Sequence, residues 1–135
     1  MRQVDSNLTI NSLVQVVDNM VDLHDPTAAG HQAGVALLAR AIAQEMGGSK
    51  DLSECVYLAG RVHDIGKIMI PSEILSSPHK LTHIQQMVVM QHPQLSYDML
   101  KSADLPGNVI DAVYQHHERL DGSGYPRGLS SAQIP

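Results

Sequence analysis

Apolar residues recur at helical spacing along most of the chain, and nowhere do they alternate as a half-buried strand requires. Over residues 8–23 the apolar positions Leu13, Val14, Val17, Met20 and Val21 fall on one helix face. Asp25-Pro26 breaks that run. A second helix is expected from about Thr27, with His31, Val35, Leu38 and Ile42 on one face and Gly47-Gly48 as its stop. Asp51 with Glu54 three residues later predicts a capping pair for a third helix, whose inward stripe is Val56, Ala59 and His63. Ile65 to Ser72 reads as a short connector closed by Pro71. Thr82 with Gln85 is a capping box for a helix running through Met87 and Met90 towards His92, where Pro93 forces a break or a fresh start. Leu95, Met99 and Leu100 mark another short helix, and Pro106-Gly107-Asn108 opens the last, carrying Val109, Ile110 and Val113 inward. The prediction is an all-α domain, a bundle of five or six helices.

Composition narrows this picture. A chain of 135 residues fits one domain with a single core. With no Trp or Phe and only four Tyr, that core is aliphatic, and seven Met are available to fill it, Met87, Met90 and Met99 among them. The single cysteine, Cys55, has no intrachain partner and is expected as a buried structural thiol. Together with the lack of a signal-like N-terminus it points to a reducing, cytoplasmic setting. No apolar run approaches the roughly 18 residues of a membrane span. The net charge of −5 argues against a nucleic-acid polymer as partner. A small anionic ligand is still compatible, provided that metal ions and cations such as Lys67, Arg119 and Arg127 supply local positive potential.

The candidate chemistry lies in the histidines. His31, His63, His92, His116 and His117, with Asp64, sit on or at the ends of helices whose other inward positions are aliphatic, so they can converge in the bundle interior. Imidazole and carboxylate without thiolate suit Fe, Mn or Zn. Asp64 has two oxygens and can bridge two ions, and such a pair can acidify water and hold a phosphate; Lys67 could add a point charge. These residues fit metal-assisted attack on phosphorus. His24, His79 and His83 match no ligand position and are expected at the surface or its boundary. Glu118 and Asp121 read equally as acids that orient histidine N–H groups or as loop caps. Tyr125 reads equally as a substrate-stacking ring or a loop anchor, and Arg119 and Arg127 as phosphate contacts or surface ion pairs.

The run His63-Asp64-Ile65-Gly66-Lys67 is followed in order by Ile70-Pro71, His92-Pro93, His116-His117-Glu118, Asp121-Gly122-Ser123-Gly124-Tyr125-Pro126 and Arg127-Gly128-Leu129. From about Asp25 to Pro135 this resembles the HD-GYP family, a branch of the HD-domain metal-dependent phosphohydrolases. The resemblance implies an HD-domain-like helical fold and a bacterial signalling phosphodiesterase that hydrolyses cyclic di-GMP to pGpG, GMP or both through a metal-bridging hydroxide. It implies two divalent ions, Fe or Mn foremost, with Zn, Ni or Mg as alternatives. His31, His63 and Asp64 would hold one, with Asp64 bridging to a second served by His92, His116 and His117. Lys67 would contact the scissile phosphate. Gly124, Tyr125 and Pro126, with Arg127, would shape the substrate pocket, and the loop is also linked to contacts with diguanylate cyclases.

Two departures qualify the resemblance. Some members place a glutamate four residues before the first histidine for a third metal; Thr27 stands there, so a two-metal site is expected. Members also continue into a helix that supplies a further metal-binding aspartate. Residues 1–135 are therefore expected to form a single domain truncated at its C-terminal end, with residues 1–24 as a supporting N-terminal helix. The competing readings are an inactive signalling or interaction module of the same fold and an HD phosphohydrolase acting on another nucleotide. The Gly-Tyr-Pro loop argues against the latter.

Overall fold

The computed structural model describes residues 6–134, so the extreme ends of the expected domain, residues 1–5 and 135, lie outside the described residues. Seven α-helices follow in order: α1 (Ser6–His24), α2 (His31–Glu45), α3 (Lys50–Val62), α4 (Ser72–Leu75), α5 (His83–Val89), α6 (His92–Leu100) and α7 (Gly107–Gln115). Short 3-10 turns at Pro26–Ala28 and Ile65–Met69 join them. Six of the helices have at least seven residues, and α4 is a single turn, so the all-α expectation holds. Among the described residues the only extended pairing is one isolated bridge, Asp121 to Ser130. No described helix is long and apolar enough to cross a membrane.

Helix α3 is the hub. It packs against α1, α2 and α7, while α6 packs on α7 and on the Ile65–Met69 turn. Ala59, Val62, Ile65, Leu100, Val109 and Val113 form the shared core, with Val17, Leu58 and Ile68 against it. This core is small and aliphatic, as the composition requires. Met87, Met90 and Met99 are not in it: they are 53%, 39% and 42% exposed, so their expected role as filler is corrected. Most of α5 is exposed, and the core cluster is drawn from α3, α6, α7 and the Ile65–Met69 turn instead. Cys55 is half-buried, not fully buried, with Sγ 3.5 Å from Asn108 Oδ1.

The faces of α1 and α2 also differ from expectation. In α1 the inward side is Val14, Val17, Asp18 and Val21, whereas Leu13 and Met20 are exposed. The reason is a buried polar clamp: Arg61 Nε donates to Asp18 Oδ2 at 2.6 Å and Arg61 Nη1 to the Tyr57 hydroxyl at 2.8 Å. In α2 the packed face is Gln32, Ala36 and Ala43, one position on from the predicted His31, Val35, Leu38, Ile42 stripe. Close approach selects it. A Cβ built on Gly60 of α3 would lie 2.6 Å from Ala36 Cα, so the two backbones meet at their smallest residues. Leu38 and Ile42 stay largely exposed as a result.

Helix boundaries follow local chemistry. The Thr82–Gln85 capping box is present as expected. At α3 the cap is Ser49, whose hydroxyl accepts from Leu52 N at 3.1 Å, and not the predicted Asp51–Glu54 pair. Glu54 instead lies 4.0 Å from Arg40 on α2. The second helix starts at His31, because Gly30 adopts φ 76° and separates it from the 3-10 turn at Pro26–Ala28. Pro93 sits in the first turn of α6 and permits a fresh start directly after α5.

The Gly60–Ala36 contact makes a stability prediction. Gly60→Ala should cost about 2 kcal/mol through overpacking between two backbones. Gly34→Ala, in the same pair of helices but with nothing within 4 Å of its Cβ, should gain roughly 0.5–1 kcal/mol from helix propensity. Urea unfolding midpoints of the two variants would check the opposite signs.

Candidate metal centre

Each candidate histidine stands at a helix end. His31 opens α2, His63 follows α3, His92 opens α6, and His116 and His117 follow α7. Three of them use the same local device. The Nδ1 of His63 lies 2.8 Å from the Gly60 carbonyl, that of His92 2.7 Å from Val89, and that of His116 2.7 Å from Val113. A carbonyl oxygen only accepts, so each Nδ1 carries the proton and each Nε2 turns its lone pair inward. Every one of these carbonyls is three residues upstream, so the orientation of the ring is a local property of the backbone.

Asp64 lies where those lone pairs converge and is 2% exposed. Its oxygens face opposite ways. Oδ1 is 3.1 Å from His92 Nε2 and 3.8 Å from His116 Nε2, whereas Oδ2 is 3.4 Å from His63 Nε2 and 2.7 Å from Lys67 Nζ. Burial by itself would raise the Asp64 carboxyl. The Lys67 ammonium opposes it by charge and by hydrogen bond, and the group is held well below the usual carboxylate range. Burial has the opposite sense for the imidazoles: it pushes His63 and His117 down, and His116 down to about 3, with neighbouring rings adding repulsion. The His92 and His116 Nε2 atoms are 3.1 Å apart, and with both protons on Nδ1 that is a contact between two lone pairs. A cation is the physical remedy for such a cluster of acceptors.

The ligand atoms fall into two groups, His31 with His63 and Asp64, and His92 with His116 and His117, each with its atoms within 4.8 Å of one another. Imidazole nitrogens and a carboxylate without thiolate form a donor set suited to divalent metal ions, and protons parked on backbone carbonyls are the usual support of metal-binding histidines. The residues present therefore fit the group. All six sequence-predicted ligands come together.

The residues that hold them in place were largely invisible in the sequence. Gly66 N donates to Ser96 Oγ at 2.9 Å, and Ser96 Oγ donates to the His63 carbonyl at 2.8 Å, tying the His63–Asp64 corner to α6. A Cβ on Gly66 would lie 2.3 Å from the His92 carbonyl, so the glycine permits this approach. No sequence signal marked Ser96. His24, placed at the boundary by its sequence, donates to the Ile70 carbonyl at 2.6 Å and anchors the end of α1 beside the same corner.

The loop after α7 gives its polar and aromatic residues their partners. Both Glu118 oxygens serve the loop, accepting from Arg127 N at 2.7 Å and Leu129 N at 2.8 Å. Asp121 accepts from Ser123 N and Oγ. Neither acid orients a histidine. Gly124 presses on backbone, because its Cβ would lie 2.4 Å from Arg119 N. This brings Tyr125 onto His117, ring centroids 4.6 Å apart and 15° from parallel, so Tyr125 anchors one ligand ring. Pro126 is exposed beside it, and the Arg127 guanidinium is turned towards the Tyr114 ring, 5.9 Å from its centroid. Arg119 Nε lies 3.9 Å from Asp121 Oδ1, and the side chain is exposed. His79 and His83 are exposed, as expected.

Residues 15–135 match the family model described as the HD domain. Among curated proteins, the chain is 38% identical over 93% of its length to 3'3'-cGAMP-specific phosphodiesterase 1 of Vibrio cholerae, and covers 29% of that protein. It is 35% identical over 91% of its length to a cyclic di-GMP phosphodiesterase of Thermotoga maritima, covering 34% of it. With a cyclic di-GMP phosphodiesterase of Pseudomonas aeruginosa the identity is 40% over 77% of this chain and 25% of the relative. The chain thus spans about a third or less of the length of these relatives.

Two predictions follow from the geometry. Ser96→Ala leaves the buried Gly66 N–H and the His63 carbonyl without their partner and should cost about 1–3 kcal/mol in a denaturant titration. The second concerns pH. An unfolded histidine takes up a proton near pH 6.5 that His116 refuses until about 3, so the unfolded state binds more protons between these values. Asp64 acts in the same sense at still lower pH, below about 4, where an unfolded carboxylate takes up a proton that Asp64 refuses. The unfolding midpoint of the metal-free protein should therefore fall steadily from about pH 7 to about pH 4, and His116→Gln should flatten that slope.

Proposed function

The chain belongs to the HD domain family, and we propose that its histidine–aspartate centre holds two divalent cations and hydrolyses a phosphodiester of a cyclic dinucleotide, with cyclic di-GMP as the substrate and pGpG, GMP or both as product. The observation that carries this reading is the two-sided Asp64 carboxylate, with His63 on one oxygen and His92 and His116 on the other. A single buried carboxylate flanked by two histidine groups is the arrangement that a bridging ligand needs.

When bound, divalent ions supply Lewis acidity towards a phosphoryl oxygen and towards water. The chain's own residues do the rest. The Gly60, Val89 and Val113 carbonyls hold three imidazoles in one tautomer, so the ligand atoms do not have to reorganise. Burial keeps the His63 and His116 rings unprotonated. Lys67, at the edge of the site with its side chain 18% exposed, can meet a non-bridging phosphate oxygen. The loop side offers a cleft of about 280 Å³ lined by His116, His117, Arg119, Ser123, Gly124 and Tyr125, which supports entry of a phosphodiester from that side. Pro126 and Arg127 follow Tyr125 in the same loop, and a substrate role for them and contact with a diguanylate cyclase through this loop belong to the same proposal. Fe or Mn is the proposed metal.

The test pairs metal content with turnover. The purified protein loaded with Mn(II) or Fe(II) should bind about two ions per chain and hydrolyse cyclic di-GMP or 3'3'-cGAMP. Asp64→Ala should lose both properties, while Lys67→Ala should retain metal and turn over substrate more slowly. Full metal stoichiometry in Asp64→Ala would remove the bridging role. Bound metal without turnover of any cyclic dinucleotide would make the domain a binding module.

A further inference from the structure

Lys67 stands where a cation is expected. Its Nζ is 2.7 Å from Asp64 Oδ2, and the side chain is 18% exposed against 4% for the carboxylate. That same oxygen faces His63 Nε2 at 3.4 Å, on the side of the His31–His63 group. The other oxygen, Oδ1, faces His92 and His116 instead. Local backbone sets the lysine there: Lys67 N donates to the Asp64 carbonyl at 2.9 Å, closing the 3-10 turn that brings position i+3 back over the carboxylate. The contact is therefore built into the turn and confined to one half of the site.

We infer that Lys67 is a resident counter-ion for the His31–His63 side of Asp64, which a divalent cation must displace, so that the two halves load in order. The His92–His116–His117 half fills first and the His31–His63 half second. This rests on the two-cation reading and goes beyond it by assigning the sequence of loading and the residue that sets it. The physical cause is direct. An ammonium and a divalent ion on one carboxylate oxygen repel at contact distance, and beside a carboxylate only 4% exposed the repulsion is incompletely screened. Without metal, the lysine compensates a carboxylate that would otherwise be an isolated buried charge. Once displaced, its partly exposed stem lets the ammonium swing outward, where a phosphate can meet it.

Calorimetric titration of Mn(II) into the metal-free protein tests this, alongside thermal melting of the same samples. Wild type should show a tighter and a weaker step. Lys67→Met, which keeps the stem and removes the charge, should tighten the weaker step at least about tenfold, or about 1.4 kcal/mol, leave the tighter step nearly unchanged, and lower the melting temperature of the metal-free form. A merely structural lysine would lower the melting temperature without tightening Mn(II). His31→Ala, at an exposed position, should abolish the weaker step. In that background Lys67→Met should no longer alter Mn(II) affinity. Lys67→Gln provides the same comparison if the methionine variant does not fold without metal. A weaker step that is unchanged or weakened in these variants overturns the counter-ion role and leaves the two-cation reading intact. No Mn(II) binding by the folded wild type would sink both.

Discussion

Keeping one carboxylate charged in a nearly dry interior is the constraint from which the rest of this structure follows. Asp64 is 2% exposed, and an isolated carboxylate so placed would cost several kcal/mol or simply take up a proton. The Lys67 ammonium on one oxygen compensates that charge, and the imidazole nitrogens around both oxygens complete a donor set for cations. Those imidazoles come from α3, α6 and α7, so the same requirement dictates which helix ends must meet. The aliphatic core formed by Ala59, Val62, Ile65, Val109 and Val113 lies directly behind them and supplies the burial.

Convergence of helix ends demands close backbone approach, and the small residues mark where it occurs. Gly60 meets Ala36, Gly66 meets the first turn of α6, and Gly124 meets the backbone at Arg119. At each point a side chain would force the elements apart and move a ligand. Polar ties then lock what the glycines permit. Ser96 links the His63–Asp64 corner to α6, and Glu118 links the end of α7 to the loop that stacks Tyr125 on His117. A site of five histidines and one aspartate is thus held by a second set of residues with no ligand chemistry of their own.

The helical class, the Thr82 cap and the six ligand candidates were legible in the sequence, because each depends on spacing or on residue type alone. The partners of Glu118 and Asp121 were not. A carboxylate beside two histidines serves equally well as a ring-orienting acid or a loop staple, and only the path of the loop back to Arg127 and Leu129 distinguishes them. The packed face of α2 was misjudged for a similar reason. Periodicity ranks faces by apolar content, which favours Leu38 and Ile42, but helix–helix contact at Gly60 favours the face with the smallest residues.

By itself, then, the sequence determined the secondary structure, the aliphatic core and the metal-type donor set, since hydrophobic period and side-chain chemistry are properties of the residues themselves. Tertiary structure alone decided that Asp64 presents one oxygen to each histidine group, that Ser96 braces the corner, and that Tyr125 packs on His117. Most of those facts are relations between segments far apart in the chain, the widest joining Asp64 on the turn after α3 to His116 after α7. No local pattern encodes them, because they arise only when separate helix ends are brought within a few ångströms by the core behind them.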